Sequence, residues 1–345
     1  MTSPESMSRP EAVNRQAPLV TIGVPVYNGE AMLGDMLSSL EAQTYERFKV
    51  VICDNASTDK TPEIAQAFCA RDPRFTYHRN PENIGAAPNF NRVWDIDHST
   101  PYYKWAAHDD IYAPTYLERC VAVLEREPEV VLAHSLTVLV DDTRQGHAAS
   151  QMLLADTALD SFTDEAGRPA WTIGPPHPAE ADDPVRRLDD LLNRMGGHFE
   201  IFAVMRTSAL EQTQLHASYY GSDRSLLAQM VILGPFRHVP ERLYVNRFHQ
   251  TVSRGLSRAE LRKFTDTRRP SRWRIARMYW DILQAPRLAG VDRSTAIRCA
   301  GVTSRNFFTN YSRRAWLKLR RTLGQYREQN TRSGGTARAG DENAL

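Results

Sequence analysis

Through the first half of the chain, apolar runs that read as strands alternate with stretches of helical spacing. "LVTIGVPVY" is followed by the helical "GEAMLGDMLSSLEAQ", then the strand "FKVVICDN", the helix "TPEIAQAFCARD" and the short strand "RFTYHRN". "NFNRVWDID" is again helical, "YYKWAA" a strand, "PTYLERCVAVLERE" a helix and "EVVLAHSLTVLV" a strand. No other feature constrains the fold as strongly. Parallel strands require crossover connections, and those crossovers cover both faces of the sheet. The pattern predicts an α/β domain with a mostly parallel sheet and helices on both faces. Such sheets bind ligands beyond the carboxyl ends of their strands, where strand order reverses. The residues just after each strand are Tyr27 and Asn28, Asp54 and Asn55, Asn83 and Gly85, then His108, Asp109 and Asp110. All are polar or turn-forming, which predicts a polar ligand along one rim.

Composition removes several classes of function. The 345 residues carry a net charge of only +2, so the whole molecule gives no strong nucleic-acid or membrane signal. Cys53, Cys69, Cys120 and Cys299 form no C-x-x-C pair, which argues against a zinc ribbon or redox motif and for buried thiols in a reducing compartment. No G-x-G-x-x-G or G-x-x-x-x-G-K-[ST] follows the first strand, so a dinucleotide-binding dehydrogenase and a P-loop are disfavoured. The polar start "MTSPESMSRPEAVNRQAP" is no secretory signal, and no run approaches the roughly 18 apolar residues of a membrane span. A cytoplasmic protein, peripheral at most to the inner face of the membrane, is expected. Residues 1–17 and 328–345 read as disordered tails, and 140–200, rich in Pro, Gly and acid, as a long surface insertion ahead of a helix at "VRRLDDLLNRM" and a strand-like "FEIFAVM". From Arg254 to Arg321 about eighteen Lys/Arg stand against about four Asp/Glu, interleaved with Trp, Tyr and Phe.

Two strand ends carry the chemistry. Asp54 can accept from a base imide or a ribose hydroxyl; alternatively Asp54, Ser57 or Thr58 caps the next helix. In "YKWAAHDDIYAP" the strand runs into adjacent carboxylates, which repel each other and raise each other's pKa when partly buried. A divalent cation removes that penalty, and Mg²⁺ or Mn²⁺ takes one or two protein carboxylates with water and substrate phosphates. The competing reading makes Asp110 the N-cap of the "PTYLERC" helix, with Pro114 in its first turn.

Taken in order, "VTIGVPVYNGEAMLGDMLSSLEAQTYERFKVVICDNASTDKTPEIA", "NPENIGAAPNFNRV", "AAHDDIYAPTYLE" and "YYGSDRSLLAQMVILGPFRHVPERLYVNRFHQTVS" resemble the family-2 glycosyltransferases. The resemblance is dense over residues 18–136 and resumes over 219–253. It implies a GT-A-type, Rossmann-like fold over 18–253, with a nucleotide-sugar-binding half (18–140) and an acceptor half (141–253), followed by a basic helical extension (254–327). It further implies an inverting transfer from a nucleotide-diphosphate sugar to a glycan, lipid-linked or small-molecule hydroxyl. Pro25 and Tyr27 would flank the base, Asp54 would bind it, and Asn83 and Asn91 would support the nucleotide or its loop. Asp109 matches the metal-binding carboxylate of the family's D-x-D motif and Asp110 the residue after it. The motif's first Asp falls on Ala107, and His108 would contact the ribose or a phosphate instead. Asp223 in "GSDRSLL", preceded by Ser222 where the family commonly has Glu, would be the general base, with Glu200 or Asp182 as fallbacks. His249 in "NRFHQ" matches an Arg-x-His motif and would reach the metal or diphosphate. Arg206 fits a Gly-x-x-Arg segment loosely, since Ala203 replaces the Gly. The cofactor implied is Mn²⁺ or Mg²⁺. The basic segment suggests peripheral membrane contact, and no nucleic-acid partner is expected. A nucleotidyltransferase is the alternative enzyme, although "VPVYNGEAM" lacks its Gly-rich, basic loop; a catalytically silent nucleotide- or glycan-binding protein is the alternative outside enzymes.

Overall fold

The structure, a computed structural model, describes residues 20–142, 158–175, 178–193, 198–249, 257–266, 268 and 273–309. The two tails expected to be disordered, and residues 254–256, 267, 269–272 and 310–327 of the basic segment, lie outside the described residues. The chain forms β1 (Val20–Val26), α1 (Leu33–Glu41), β2 (Phe48–Asp54), α2 (Thr61–Arg71), β3 (Phe75–Arg79), α3 (Ala86–Ile96), β4 (Tyr102–Trp105), β5 (Ile111–Tyr112) and α4 (Tyr116–Arg126). Next come β6 (Leu132–Asp141), β7 (Ala158–Thr163), β8 (Pro169–Ile173), α5 (Pro184–Leu192), a 3₁₀ turn (Phe199–Phe202), β9 (Val204–Arg206) and a short α6 (Thr207–Leu210). Last are α7 (Asp223–Leu233), β10 (Phe236–Phe248), α8 (Arg258–Thr265), α9 (Arg274–Leu288) and a helix over 293–309, α10.

One sheet runs in the order β3-β2-β1-β4-β9-β6-β10-β5, with β8 on β6 and β7 on β8. β3, β2, β1, β4, β6 and β10 are parallel, while β9, β5 and β8 run against their neighbours. The expected α/β sheet with helices on both faces is therefore present. Alternate strand residues feed two cores. Val20, Ile22, Val24 and Val26 meet Leu33, Met36, Leu37 and Leu40 of α1 on one face. Val51, Cys53, Tyr103 and Trp105 meet α3, α5 and α7 on the other. The spacing of the α1 residues, i, i+3, i+4, i+7, is what an amphipathic helix needs to bury one stripe.

Two local expectations are corrected. The supposed surface insertion contains the β7–β8 hairpin, which extends the sheet because Thr137–Val140 of β6 continues past β9 and needs a partner. "FEIF" is a 3₁₀ turn, and only Val204–Arg206 is strand. The described C-terminal helices pack back on the sheet domain: Ile282 and Ala285 of α9 enter the core beside α7, and the Asp266 backbone after α8 closes on Gly85, where a Cβ would approach its Cα to 2.6 Å.

Candidate active site

Strand order reverses between β1 and β4, so the crevice between their carboxyl ends is the expected ligand site. Tyr27, Asn28 and Gly29 follow β1. Asn28 sits at φ 51°, donates its N–H to Ser57 Oγ at 2.9 Å and accepts from Thr58 N at 2.9 Å. These bonds knit the turns after β1 and β2. Tyr27 is 43% exposed and can offer its ring, while Pro25 is buried within β1. A Cβ on Gly29 would come within 2.9 Å of the His108 ring, so glycine lets that imidazole close against the turn. Burial pushes His108 below its usual range, partly offset by the charge of Asp109.

Asp54 is fully buried at the tip of β2. Its Oδ2 accepts from Tyr77 Oη at 2.7 Å and from Arg79, and its Oδ1 accepts from Ser57 N at 2.8 Å. The Arg79 guanidinium forms the outer surface there. The helix-cap reading of Asp54, Ser57 or Thr58 is corrected, because α2 starts after Lys60 and its Thr61 N–H is taken by Asp59 at 3.0 Å. Asn83 accepts from Asn55 Nδ2 at 3.0 Å and Gly85 N at 2.9 Å, holding the loop after β3. Asn91 points elsewhere: its amide exchanges hydrogen bonds of 2.9 and 3.0 Å with the His216 backbone, tying α3 to the segment ahead of Asp223.

The two adjacent carboxylates are separated by β10. Successive strand residues face opposite ways. Tyr244 and Asn246 take one side and donate to Asp110 at 2.5 and 2.9 Å. Arg247 and His249 take the other: Arg247 Nε donates to the Asp109 carbonyl at 2.5 Å, and His249 Nε2 lies 2.8 Å from Asp109 Oδ2. Burial and the neighbouring charge of Asp109 push the Asp110 carboxyl well above its usual value. Burial also raises Asp109, but the His249 hydrogen bond and the positive neighbours outweigh it and leave this carboxyl below its usual value. Asp109 is thus the anion that faces outward, and Asp110 is a buried anchor. The N-cap reading of Asp110 is corrected, since the N-cap of α4 is Thr115.

Beneath Asp109 the strand carries a buried lysine. Lys104 Nζ donates to the Phe202 carbonyl at 2.5 Å and stands 3.8 Å over the Tyr112 ring; burial pulls it down to about 7. Sequence patterning had read this strand as apolar.

Asp109 and His249 fit a cation bridged to substrate better than a free-standing metal site. Among the described residues no group of three or more His, Cys, Asp or Glu is gathered to hold one. Their 2.8 Å separation suits neighbouring ligands of an octahedral ion, which are about 3 Å apart at Mg²⁺ bond lengths, and such ions keep waters and substrate phosphates in their other positions.

Asp223 opens α7. That helix leads directly into β10, which is parallel to β4 by way of β6 and β9, so α7 runs against the parallel strands and starts at their carboxyl rim. Asp223 therefore lies on the rim of Asp109. It is the first helical residue, after N-cap Ser222, and the positive helix end favours its charge. His216, which feels the charge of Asp223, packs edge-on against Trp105 at 5.0 Å; burial pushes this imidazole down to about 4, against the pull of Asp223. Glu200 lies 3.4 Å from His238, and the Asp182 carbonyl accepts from Arg187 at 2.7 Å. Arg206 is removed from the site. It binds the carbonyls of Leu124, Glu127 and Val130 at the opposite rim, beside a cavity of about 740 Å³ that is remote from the carboxylates.

Sequence reasoning passed over Tyr244, Asn246 and the structural part of Arg247. The only signal was alternation along "YVNRFH", which becomes informative once β10 is known to lie beside Asp109.

The fold and this rim define a GT-A glycosyltransferase architecture. Residues 21–178 match the family model described as Glycosyl transferase family 2. The chain is 30% identical over 113 residues to an uncharacterized glycosyltransferase of Rickettsia typhi, covering 33% of this chain and 34% of that protein. It spans about a third or less of the length of the first such curated relatives. It is 21% identical over 251 residues, 72% of this chain and 71% of the other, to the GalNAc(5)-diNAcBac-PP-undecaprenol beta-1,3-glucosyltransferase of Campylobacter jejuni. Among solved structures it is similar to S. aureus TarS in complex with UDP-GlcNAc, at 15% identity and TM-score 0.52, covering 84% of this chain and 72% of that one.

Proposed function

We propose that this chain is an inverting glycosyltransferase that moves a sugar from a nucleotide-diphosphate donor to a hydroxyl of a glycan, a lipid-linked glycan or a small molecule in the cytoplasm. The observation that carries the reading is the Asp109 carboxylate, kept charged at the crevice by His249, with Arg247 holding its backbone carbonyl, while Asp110 is withdrawn into the protein. Tyr27 and the Asp54–Arg79 unit flank the nucleotide, and His108 meets the ribose or a phosphate. Asp223 takes the proton of the acceptor hydroxyl as that oxygen attacks the anomeric carbon. The bond from that carbon to the diphosphate breaks on the opposite side, and the nucleoside diphosphate leaves with the electron pair. Asp109 and His249 would hold a divalent cation, Mn²⁺ or Mg²⁺, which when bound neutralises charge on the departing diphosphate. Similarity to the Campylobacter enzyme, a glucosyltransferase named for an undecaprenol-linked glycan, favours a lipid-linked acceptor here.

The test is a panel of nucleotide sugars screened for thermal stabilisation with Mn²⁺ or Mg²⁺, since a bound donor raises apparent stability by mass action. One or more donors should stabilise the protein only with metal, and the same donor should be consumed slowly by hydrolysis. Stabilisation without any turnover would favour the silent binding protein, and release of pyrophosphate from a nucleoside triphosphate and a sugar phosphate would favour the nucleotidyltransferase.

A further inference from the structure

Eight large hydrophobic side chains are exposed among the described residues, and seven of them, from Phe264 to Phe308, belong to the C-terminal helices; the eighth is Tyr27. The concentration is greatest on α9 and its N-cap. Trp273 is 78% exposed and Trp280 58%. They are seven residues apart, two turns, and so lie on one side of the helix. Arg287, Arg277 and, at the flank, Leu288 share that side and are exposed, with Arg277 paired to Asp281 at 3.1 Å; Arg274, about a quarter turn round, is exposed and stands 5.8 Å over the Tyr220 ring. The opposite side of α9 is already satisfied by Asp281, Ile282 and Ala285, which are buried. The tryptophans are therefore not needed to hold the helix on the domain. Exposed apolar surface of this size on a folded protein marks an interaction site.

The basic charge is not all of one kind. Arg298 and Arg305 of α10 are spent on Asp183 and Asp189 of α5, and these pairs fix α10 in place. Ile297 and Phe308 of the same helix remain 63% and 66% exposed. What faces outward on these two helices is thus an alternation of aromatic, aliphatic and arginine side chains. Aromatic rings with one wet edge settle at a membrane interface, and arginines beside them meet anionic headgroups. Among the described residues no helix is long and apolar enough to cross a membrane.

The geometry points to the outer face of α9, with Trp273 and Trp280 as its anchors, as a docking surface for an anionic lipid bilayer. The occupant is chosen by charge complementarity together with the two tryptophans. A duplex nucleic acid would be met by the arginines alone, and a second copy of this chain would bring like charge to like charge. Docking here would hold the protein on the surface where lipid-linked acceptors reside, and it does not depend on which reaction the site performs.

The test is co-sedimentation of the full chain with vesicles of phosphatidylcholine alone and with vesicles enriched in phosphatidylglycerol. Each arginine near an anionic surface contributes about fivefold in affinity, and the Debye length shrinks from about 10 Å at 0.1 M salt to about 3 Å at 1 M. Binding should require the anionic lipid and fall at least tenfold at high salt. Trp273→Ser with Trp280→Ser should lower it at least tenfold at low salt, and Arg274→Gln with Arg287→Gln should weaken it and flatten the salt dependence. Both pairs should keep the melting temperature and the metal-dependent donor stabilisation of the parent, which separates this proposal from the reading of the active site. Brominated acyl chains should quench tryptophan fluorescence in the parent and not in the double-Ser variant. The proposal fails if the full chain stays in the supernatant with anionic vesicles at low salt. It also fails if the tryptophan pair is dispensable for binding, if lipid-free protein is a dimer whose Trp273 and Trp280 are shielded from a soluble quencher, or if single-stranded RNA competes the vesicles away.

Discussion

Replacing Arg247 with methionine keeps most of the side-chain volume and removes every donor. In the structure Arg247 gives Nε to the Asp109 carbonyl at 2.5 Å, Nη1 to Asp35 at 2.9 Å and Nη2 to the Met32 carbonyl at 3.2 Å, with its own side chain 8% exposed. The Asp109 carbonyl, left without this donor, costs about 1–3 kcal/mol, whereas the Met32 carbonyl keeps the Met36 N–H at 3.2 Å. The Asp35 pair adds little, about 0–1 kcal/mol, because that carboxylate is 68% exposed. Relief of the guanidinium's own desolvation offsets part of the loss. The net expectation is a destabilisation of about 1–3 kcal/mol, read as a lower urea midpoint with unchanged slope. The second consequence is functional. Asp109 loses the clamp that fixes its backbone, so metal-dependent donor binding in calorimetry should weaken at least tenfold. Asp35→Ala should do neither. Arg247→Lys should fall between, since it keeps the charge and loses the planar fork. A methionine variant within about 0.5 kcal/mol of the parent, binding donor as before, would refute the clamp.

Asp109→Ala should abolish turnover and the metal dependence of donor binding, whereas Asp110→Ala should mainly cost stability, about 1–3 kcal/mol, by orphaning Tyr244 Oη and Asn246 Nδ2; activity assays beside urea melts separate the two. Asp223→Asn should leave donor affinity intact and lower kcat by roughly 10²–10⁴, and a near-normal kcat would move the base elsewhere. Without donor, Mn²⁺ titrated into the protein should give only weak heat, because no triad of ligands is assembled among the described residues; tight binding of the metal alone would contradict the substrate-bridged site. His134 and His216 are buried neutral, with burial pushing them down to about 3 and about 4. Below about pH 6.5 the unfolded chain binds protons that the native state refuses, so stability should fall as pH drops from about 6.5 toward 4. The slope should approach at most about 2.7 kcal/mol per pH unit from the pair, and His134→Leu should flatten it.

Much of the architecture is legible in periodicity. The apolar strands, the amphipathic stripe of α1 and the strand-end positions of Tyr27, Asp54, Asn83 and Asp109 follow from residue spacing, because backbone geometry imposes periods of 2 and 3.6 on whatever must be buried. The β7–β8 hairpin was not legible. Its short strands form in a polar stretch because β6 overruns β9 and leaves backbone groups to be paired. Nor did spacing reveal Lys104, whose burial depends on the Phe202 carbonyl and Tyr112 ring that only folding brings to it.

The chemistry of "HDD" divides along the same line. That a pair of carboxylates ends β4, at the rim where a ligand belongs, was determined by the sequence alone. Which of the two stays ionised and faces the crevice was decided by β10, more than 130 residues later in the chain. Its alternating side chains give Asp110 two donors in the dry interior and give Asp109 a histidine and an arginine at the edge. Two like charges on adjacent residues are equivalent until a third strand supplies each with a different environment, and that difference in burial and partner sets which one is left to carry the charge.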